Sequence, residues 1–418
     1  MKYFGTDGIR GITLKSLSNS TIKKFANGIT NFLKSSKQKK IIIGNDSRKS
    51  GDYIISVLSS VLLRNGIEIH DIGVCSSPCL AYLTKKYNYP VGVMITASHN
   101  PANYNGLKLF SNKGEKFCDE QEIEFERLME KRTRSKNLFG ERKNLEKLKL
   151  EYVSFIKGMV KFDFPCIFDC ANGGTSKLIR MLFPKQEKIN HSPNGENINQ
   201  NSGCTHIEML KAVCQKKHVV GVSFDGDGDR VFFVSKKGQI IDGDKVLFIL
   251  SKFFLNTGDT VVGTIYTNRA LESFLQTRKI NFLRADVGDK NISKLLNQQH
   301  ANLGGEESGH IIFKPVTNTG DGILTAVLIL NILQLSMSDF ETLLSDYTPQ
   351  FQARENVEFD REYLNEFLSE KIKQIEQLGA KVIIRKSGTE PVLRIFVEHK
   401  NQENAKNFAK MLKNLIKY

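Results

Sequence analysis

Short apolar runs that stop abruptly at Gly-, Ser- or Asp-rich loops set the pattern of this chain. Ile41-Ile42-Ile43 runs into Gly44-Asn45-Asp46, Val91 to Ile95 into Thr96-Ala97-Ser98, and Cys166 to Phe168 into a loop from Asp169 to Gly174. Val219 to Phe224 meets Asp225-Gly226-Asp227, and Val261 to Ile265 meets Tyr266-Thr267-Asn268. Unbroken apolar runs of this length predict strands buried on both faces. Helical periodicity lies between them, over Thr21–Leu33 and over Gly51–Asn65, which ends near Gly66. Strands alternating with helices predict parallel α/β sheets. Ligands then bind beyond the carboxyl ends of the strands, where the polar loops lie.

The last part has a different rhythm. Asp360 to Leu378 reads as an amphipathic helix, with Tyr363, Leu364, Phe367, Leu368, Ile372 and Ile375 on one stripe and Gly379 as its stop. Two strand-like runs follow, Lys381–Arg385 and Val392–Glu398, and a closing helix places Ala405, Phe408, Leu412 and Leu415 on one face. This predicts a small α+β domain. Charged, helix-like stretches near 131–150 and 335–355 suggest boundaries. The expected division is 1–147, 148–240, 241–347 and 348–418, three α/β domains and a smaller α+β one.

Composition narrows the class. The chain has 418 residues, 40% apolar and 25% charged, as a globular protein does. Sixty Lys and Arg against 45 Asp and Glu give a formal charge of +15. A basic surface suits nucleic acid or small phosphorylated molecules. The densest block, Lys131 to Lys149, has eight Lys/Arg against two Glu and no interleaved basic-aromatic run. Seven cysteines include no Cys-x-x-Cys, and no His sits at zinc-finger spacing. They read as reduced thiols in a cytoplasmic protein. The opening residues have no apolar signal-peptide core, and no stretch approaches the length of a membrane span.

Chemistry concentrates in the loops. Asp225-Gly226-Asp227-Gly228-Asp229-Arg230 brings three carboxylates to alternate positions, a costly arrangement without a cation. Oxygen-only ligands suit Mg²⁺ or Ca²⁺. The EF-hand register fails, with Arg230 at the glycine place and Lys236 at the glutamate place. Arg230 suggests a phosphate nearby. Thr96-Ala97-Ser98-His99-Asn100-Pro101 offers Ser98 as nucleophile or phosphate carrier, although alone it reads equally as a helix cap or turn. Lys108 is an acid/base candidate if charge or burial lowers its pKa. Arg385-Lys386-Ser387-Gly388-Thr389-Glu390-Pro391, with Arg394 beyond, has the parts of a phosphate cradle or of a plain turn. Glu306, Ser308 and His310, in Gly304 to His310, can hold sugar hydroxyls. Gly5 to Gly11 is a glycine-punctuated loop carrying Arg10. Together these are the parts for phosphoryl transfer on a sugar phosphate, which asks mainly for positioning and charge neutralisation.

From Phe4 to Arg394 these motifs, in this order, resemble the α-D-phosphohexomutase superfamily. Asn197-Ile198-Asn199 with Thr205-His206 is similar to its glucosamine branch. The resemblance implies four domains in a heart shape around a central cleft, with mixed, largely parallel sheets in the first three. It implies a phosphorylated Ser98 and one Mg²⁺ held by Ser98, Asp225, Asp227 and Asp229. Lys108, His99 and Arg10 would line the reacting centre. Glu306, Ser308 and His310 would read the sugar. Arg230, Arg385, Ser387, Gly388, Thr389 and Arg394 would hold phosphate.

The implied reaction interconverts D-glucosamine 6-phosphate and α-D-glucosamine 1-phosphate through a 1,6-bisphosphate, feeding amino-sugar nucleotide and envelope-precursor synthesis. Glucosamine or glucose 1,6-bisphosphate would activate the enzyme. A kinase or bisphosphate donor would load Ser98 in a cytoplasmic monomer or homodimer that binds neither membrane nor nucleic acid. Four departures stand out. Lys386 replaces a usual Pro, Asn45 and Lys290 replace common Arg residues, and Glu307 replaces the Gln of the glucosamine branch. A mutase of mannose or glucose phosphates is one alternative. Another is a non-catalytic basic protein that binds nucleic acid, with a structural Ca²⁺ in the Asp loop.

Overall fold

A computed structural model describes residues 1–5, 7–132, 138–358, 366–386 and 392–417. Four sheets follow one another along the chain. The first contains β1 (Ile9–Ile12), β2 (Lys40–Asn45), β3 (Glu68–Val74), β4 (Val91–Ile95), β5 (Tyr104–Ser111) and β6 (Arg142–Asn144), in the order β1-β5-β4-β2-β3-β6. Its β4, β2, β3 and β6 run parallel, while β5 is antiparallel to both its neighbours. The second contains β7 (Cys166–Asp169), β8 (Glu187–Ile189), β9 (Val220–Phe224), β10 (Val231–Val234) and β11 (Ile240–Ile241), in the order β11-β10-β9-β7-β8. The third holds β12 (Thr260–Thr264), β13 (Asn281–Ala285), β14 (Leu303–Gly305) and β15 (Ile311–Phe313), in the order β13-β12-β14-β15. The fourth, β16 (Phe351–Glu358), β17 (Lys381–Lys386) and β18 (Val392–His399), is antiparallel throughout, with β18 in the middle.

The first three sheets are thus mixed, each largely parallel with antiparallel pairing at one edge. Every residue of β4 and β9 is buried, which explains their unbroken apolar sequences. Three motif loops are connections of antiparallel pairs. Ser98 lies between β4 and β5, Asp225 to Arg230 between β9 and β10, and Glu306 to His310 between β14 and β15. The β17–β18 connection, with Ser387, Gly388 and Thr389, lies outside the described residues.

Two expectations need correction. The stretch near 131–150 contains β6, a short turn of helix and the start of a helix at Lys149, so it is not one helical linker. Asp71 on β3 draws it to the sheet by accepting from Arg142 Nε at 3.0 Å. The stretch near 335–355 includes the start of β16, whose alternation Ala353, Glu355, Val357 is read only once β18 pairs with it. The final helix spans Gln402–Lys417, and the preceding one is described over Glu366–Gln377.

One continuous apolar core runs through the first three sheets, joining Met94, Phe168, Phe224 and Leu303 to the helix Gly322–Ser336. That helix is apolar all round because it is buried on nearly every side as far as Leu333. Asp321 caps it, accepting from Leu324 N at 2.9 Å, and also accepts from Tyr152 Oη at 2.9 Å. The fourth sheet has its own smaller core, in which Val357, Leu368, Ile395 and Leu412 meet.

Candidate active site

The turn between β9 and β10 curls tightly because Gly228, at φ 72°, takes a conformation that side chains disfavour. Asp225 Oδ1 then accepts from Gly228 N at 3.0 Å and Arg230 N at 3.3 Å. All three aspartates are buried, and one carboxylate oxygen from each lies within 4.8 Å of the others. Asp227 Oδ1 and Asp229 Oδ1 are buried and accept no hydrogen bond from the described residues. Oxygen donors alone, two of them orphaned, fit a hard divalent cation such as Mg²⁺.

Ser98 reaches this turn from the first sheet. Its Oγ donates to Asp225 Oδ2 at 2.7 Å, and its side chain is buried. His99 Nδ1 stands 3.5 Å from the same Oγ. Burial, helped by Arg230 and Arg10, pushes His99 down to about 4, so it is neutral at physiological pH.

Two buried lysines neutralise the acids. Lys108 Nζ lies 2.7 Å from Asp7 Oδ2 and 2.8 Å from Asp227 Oδ2. Lys116 Nζ lies 3.1 Å from Asp7 Oδ1 and 3.0 Å from Asp229 Oδ2, and also pairs with Asp289. Burial works against the charge on Lys108, but Asp227 and Asp7 outweigh it and hold its pKa above the ordinary value. The sequence allowed Lys108 a lowered pKa. The structure reverses that sign and makes it a charged donor. Burial drives Asp225 upward, reinforced by Asp227 and Asp229. Burial also opposes the charge on Asp229, yet Lys116 and Lys108 hold it well below the carboxylate range.

A cleft of about 370 Å³ opens beside this cluster. Arg10, His99, Asp229 and Arg230 line one part, and Glu306, Ser308 and His310 another. Arg385 and Arg394, directly opposite each other on β17 and β18, line a third. Tyr266 positions Arg385, whose Nε donates to its hydroxyl at 2.7 Å. Glu306 Oε1 accepts from Gly288 N at 3.0 Å. Ser308 Oγ, both ring nitrogens of His310 and Arg230 Nε are buried without a hydrogen bond to the described residues. The cleft therefore offers a hydroxyl, an imidazole and the guanidiniums of Arg10, Arg230, Arg385 and Arg394 to a polar, anionic ligand.

The structure thus draws together Ser98, Lys108, His99, Arg10, the three aspartates, Arg230, Glu306, Ser308, His310, Arg385 and Arg394. Sequence reading missed Lys116, Asp289, Tyr266 and Arg354 as members. Asp7 lay within the Gly5 to Gly11 loop without a role, although a carboxylate three positions before Arg10 was a usable signal. Lys116 carries no local signal. Asp289 directly precedes Lys290, which pairs with Glu122 instead of facing the cleft. Arg354 Nη2 pairs with Glu307 Oε2 at 2.5 Å.

Known proteins match throughout. Residues 1–136, 242–351 and 350–415 match the phosphoglucomutase/phosphomannomutase alpha/beta/alpha domain I, alpha/beta/alpha domain III and C-terminal domain respectively. A phosphoglucosamine mutase of Bacillus cereus (strain G9842) is 37% identical over 441 residues, covering 100% of this chain and 98% of the relative. The fold is shared with a phosphoglucomutase/phosphomannomutase family protein of Burkholderia thailandensis (TM-score 0.80, 22% identity, 99% of this chain and 96% of that one). It is shared too with an Aspergillus fumigatus N-acetylphosphoglucosamine mutase in complex with GlcNAc-6P and magnesium (TM-score 0.68, 17% identity, 99% and 95%). The chain belongs to the phosphohexomutase superfamily and is an isomerase of phosphosugars.

Proposed function

We propose that the chain interconverts D-glucosamine 6-phosphate and α-D-glucosamine 1-phosphate, with Ser98 as the phosphoryl carrier. The observation that carries this reading is Ser98 Oγ at 2.7 Å from Asp225 inside a three-aspartate cluster, facing a cleft rich in guanidiniums. The name of the Bacillus relative supports the amino sugar. So does the carboxylate of Glu306 in the cleft, which suits the ammonium group of glucosamine better than the hydroxyl of glucose or mannose, whereas Glu307 is already paired with Arg354.

Asp225, Asp227, Asp229 and a phosphate oxygen on Ser98 would hold one Mg²⁺ per chain. Bound there, the ion supplies Lewis-acid polarisation of the phosphoryl group. In the transfer the Ser98 Oγ–P bond breaks as a bond forms from phosphorus to the sugar hydroxyl oxygen. Ser98 Oγ takes a proton from Lys108, and the proton released by the attacking sugar hydroxyl recharges that lysine, so the transfer is proton-neutral. Lys108, held charged by Asp227 and Asp7, is the donor on the serine side. His99, neutral, adds no charge next to the reacting oxygen. The bisphosphate formed turns in the cleft and returns its other phosphate to Ser98. Arg385 and Arg394 grip the phosphate that is not reacting, a task shared with Ser387, Gly388 and Thr389. Glu306, Ser308 and His310 read the sugar in both orientations. A kinase or a hexose 1,6-bisphosphate loads Ser98 at the outset.

Incubation with each hexose 6-phosphate and a bisphosphate primer tests the substrate. Glucosamine 6-phosphate is expected to turn over fastest, and faster turnover of mannose or glucose phosphate rejects this choice. Peptide mapping is expected to find about 80 Da added at Ser98, and Ser98→Ala to lose nearly all turnover while staying folded.

A further inference from the structure

Ser98 sits at φ 51°, in the left-handed region that a side-chain-bearing residue adopts at a cost. Something must hold it there, and the holding groups act on its backbone, not on its side chain. Arg48, from the loop after β2, has a fully buried side chain. All five of its guanidinium hydrogens are used. Nε donates to Asp46 Oδ2 at 2.9 Å. Nη1 donates to Tyr104 O at 3.0 Å and to Pro101 O. Nη2 donates to Ser98 O and to Asn100 O, each at 2.8 Å. One guanidinium thus gathers four backbone carbonyls of the Ser98 loop.

Two further contacts close the frame. Thr96 Oγ1 donates to Asp46 Oδ2 at 2.6 Å and accepts from Ser98 N at 2.9 Å. Asn199, which arrives with the second sheet, donates from Nδ2 to Ser98 O at 2.8 Å and Asn100 O at 3.0 Å. The backbone N–H and C=O of Ser98 are therefore both fixed, the carbonyl from two sheets at once. A planar fork with five fixed donors can do this, and a lysine ammonium with three cannot.

We propose that Arg48 and Asn199 are positioning residues for phosphoryl transfer, holding the Ser98 backbone in its left-handed turn so that Oγ stays on Asp225. The proposal rests on Ser98 being the phosphoryl carrier. It makes alignment of the serine depend on correct docking of the second sheet against the first, since Asn199 belongs to one and Ser98 to the other.

The test uses Arg48→Lys and Asn199→Gly in the full chain. Asn199 lies at φ 57°, which glycine adopts freely, so Asn199→Gly removes the amide and spares the backbone. Steady-state kinetics and the single-turnover rate of phosphate transfer from Ser98 to the sugar phosphate are measured in both. The expected result is a fall of about 10- to 100-fold in kcat and in the single-turnover rate, with KM changed by less than about three-fold. A residue that merely supports the fold would alter the amount of active protein, not the rate of the loaded serine. If Arg48→Lys does not fold, Asn199→Gly decides. A single-turnover rate within about two-fold of the parent in Asn199→Gly, or a loss expressed only in KM, overturns the proposal. Ser98→Ala separates the two readings. If it stays active, the serine carrier is wrong; if it is inactive while Asn199→Gly runs at the parental rate, only the positioning role is wrong.

Discussion

At the scale of single residues, close approach of backbones decides what this site tolerates. A Cβ added at Gly226 would meet Ser98 O at 2.5 Å and Asn199 Nδ2 at 2.8 Å, inside the contact that aligns the serine. Gly226→Ala is expected to leave the secondary structure intact and to lower kcat by about 10- to 100-fold, since a displacement near 1 Å in a catalytic group has that effect. Far-ultraviolet circular dichroism beside steady-state kinetics checks both halves. The same scale explains which residues could be read from sequence. Asp225, Asp227 and Asp229 lie within five positions of one another, so their mutual repulsion is visible on the page. Lys116 and Asp289 are ordinary charged residues in ordinary segments. They become part of the cluster only because folding brings positions 7, 116, 229 and 289 together.

Among the elements, the central strands were legible and their partners were not. β2, β4, β7, β9 and β12 are buried on both faces, so apolar content alone marks them. β1, β10 and β15 are short flanking strands beside a loop, and β5 holds the charged Lys108 in the middle of the sheet. A charge inside a strand breaks the apolar signal, and here Asp227 and Asp7 compensate it. These unread strands make the Ser98, Asp225–Arg230 and Glu306–His310 loops hairpins instead of strand-to-helix turns. The consequence is chemical. A hairpin returns the chain at once, so Lys108, in the second pairing of β5 with β4 counted from the loop, comes back under the loop that carries Ser98.

Across the whole molecule, burial holds several acids above the usual range, Asp244, Glu122 and Asp321 among them. Burial is the chief cause in each, raising Asp244 to about 8, Glu122 to about 7 and Asp321 to about 6. A folded pKa above the unfolded one means that the native state binds the proton more tightly. Stability is therefore greatest below the ordinary carboxylate pKa for these groups, and falls as pH rises through their folded values. Other groups add their own slopes, so one substitution isolates the effect. Asp244→Asn is expected to flatten the decline in melting temperature between about pH 4 and pH 8, read by thermal denaturation across a pH series. An unchanged slope would rule out Asp244 as its source.

Lys108 and Lys116 place ammonium groups among the very carboxylates that would ligate the metal. The protein thus carries its own counter-ions, and its architecture does not wait on magnesium as a zinc finger waits on zinc. A chelator should silence turnover yet leave the melting curve almost where it was, and restored Mg²⁺ should revive activity without a refolding lag. Metal starvation would then yield a dormant, intact enzyme instead of an unfolded one.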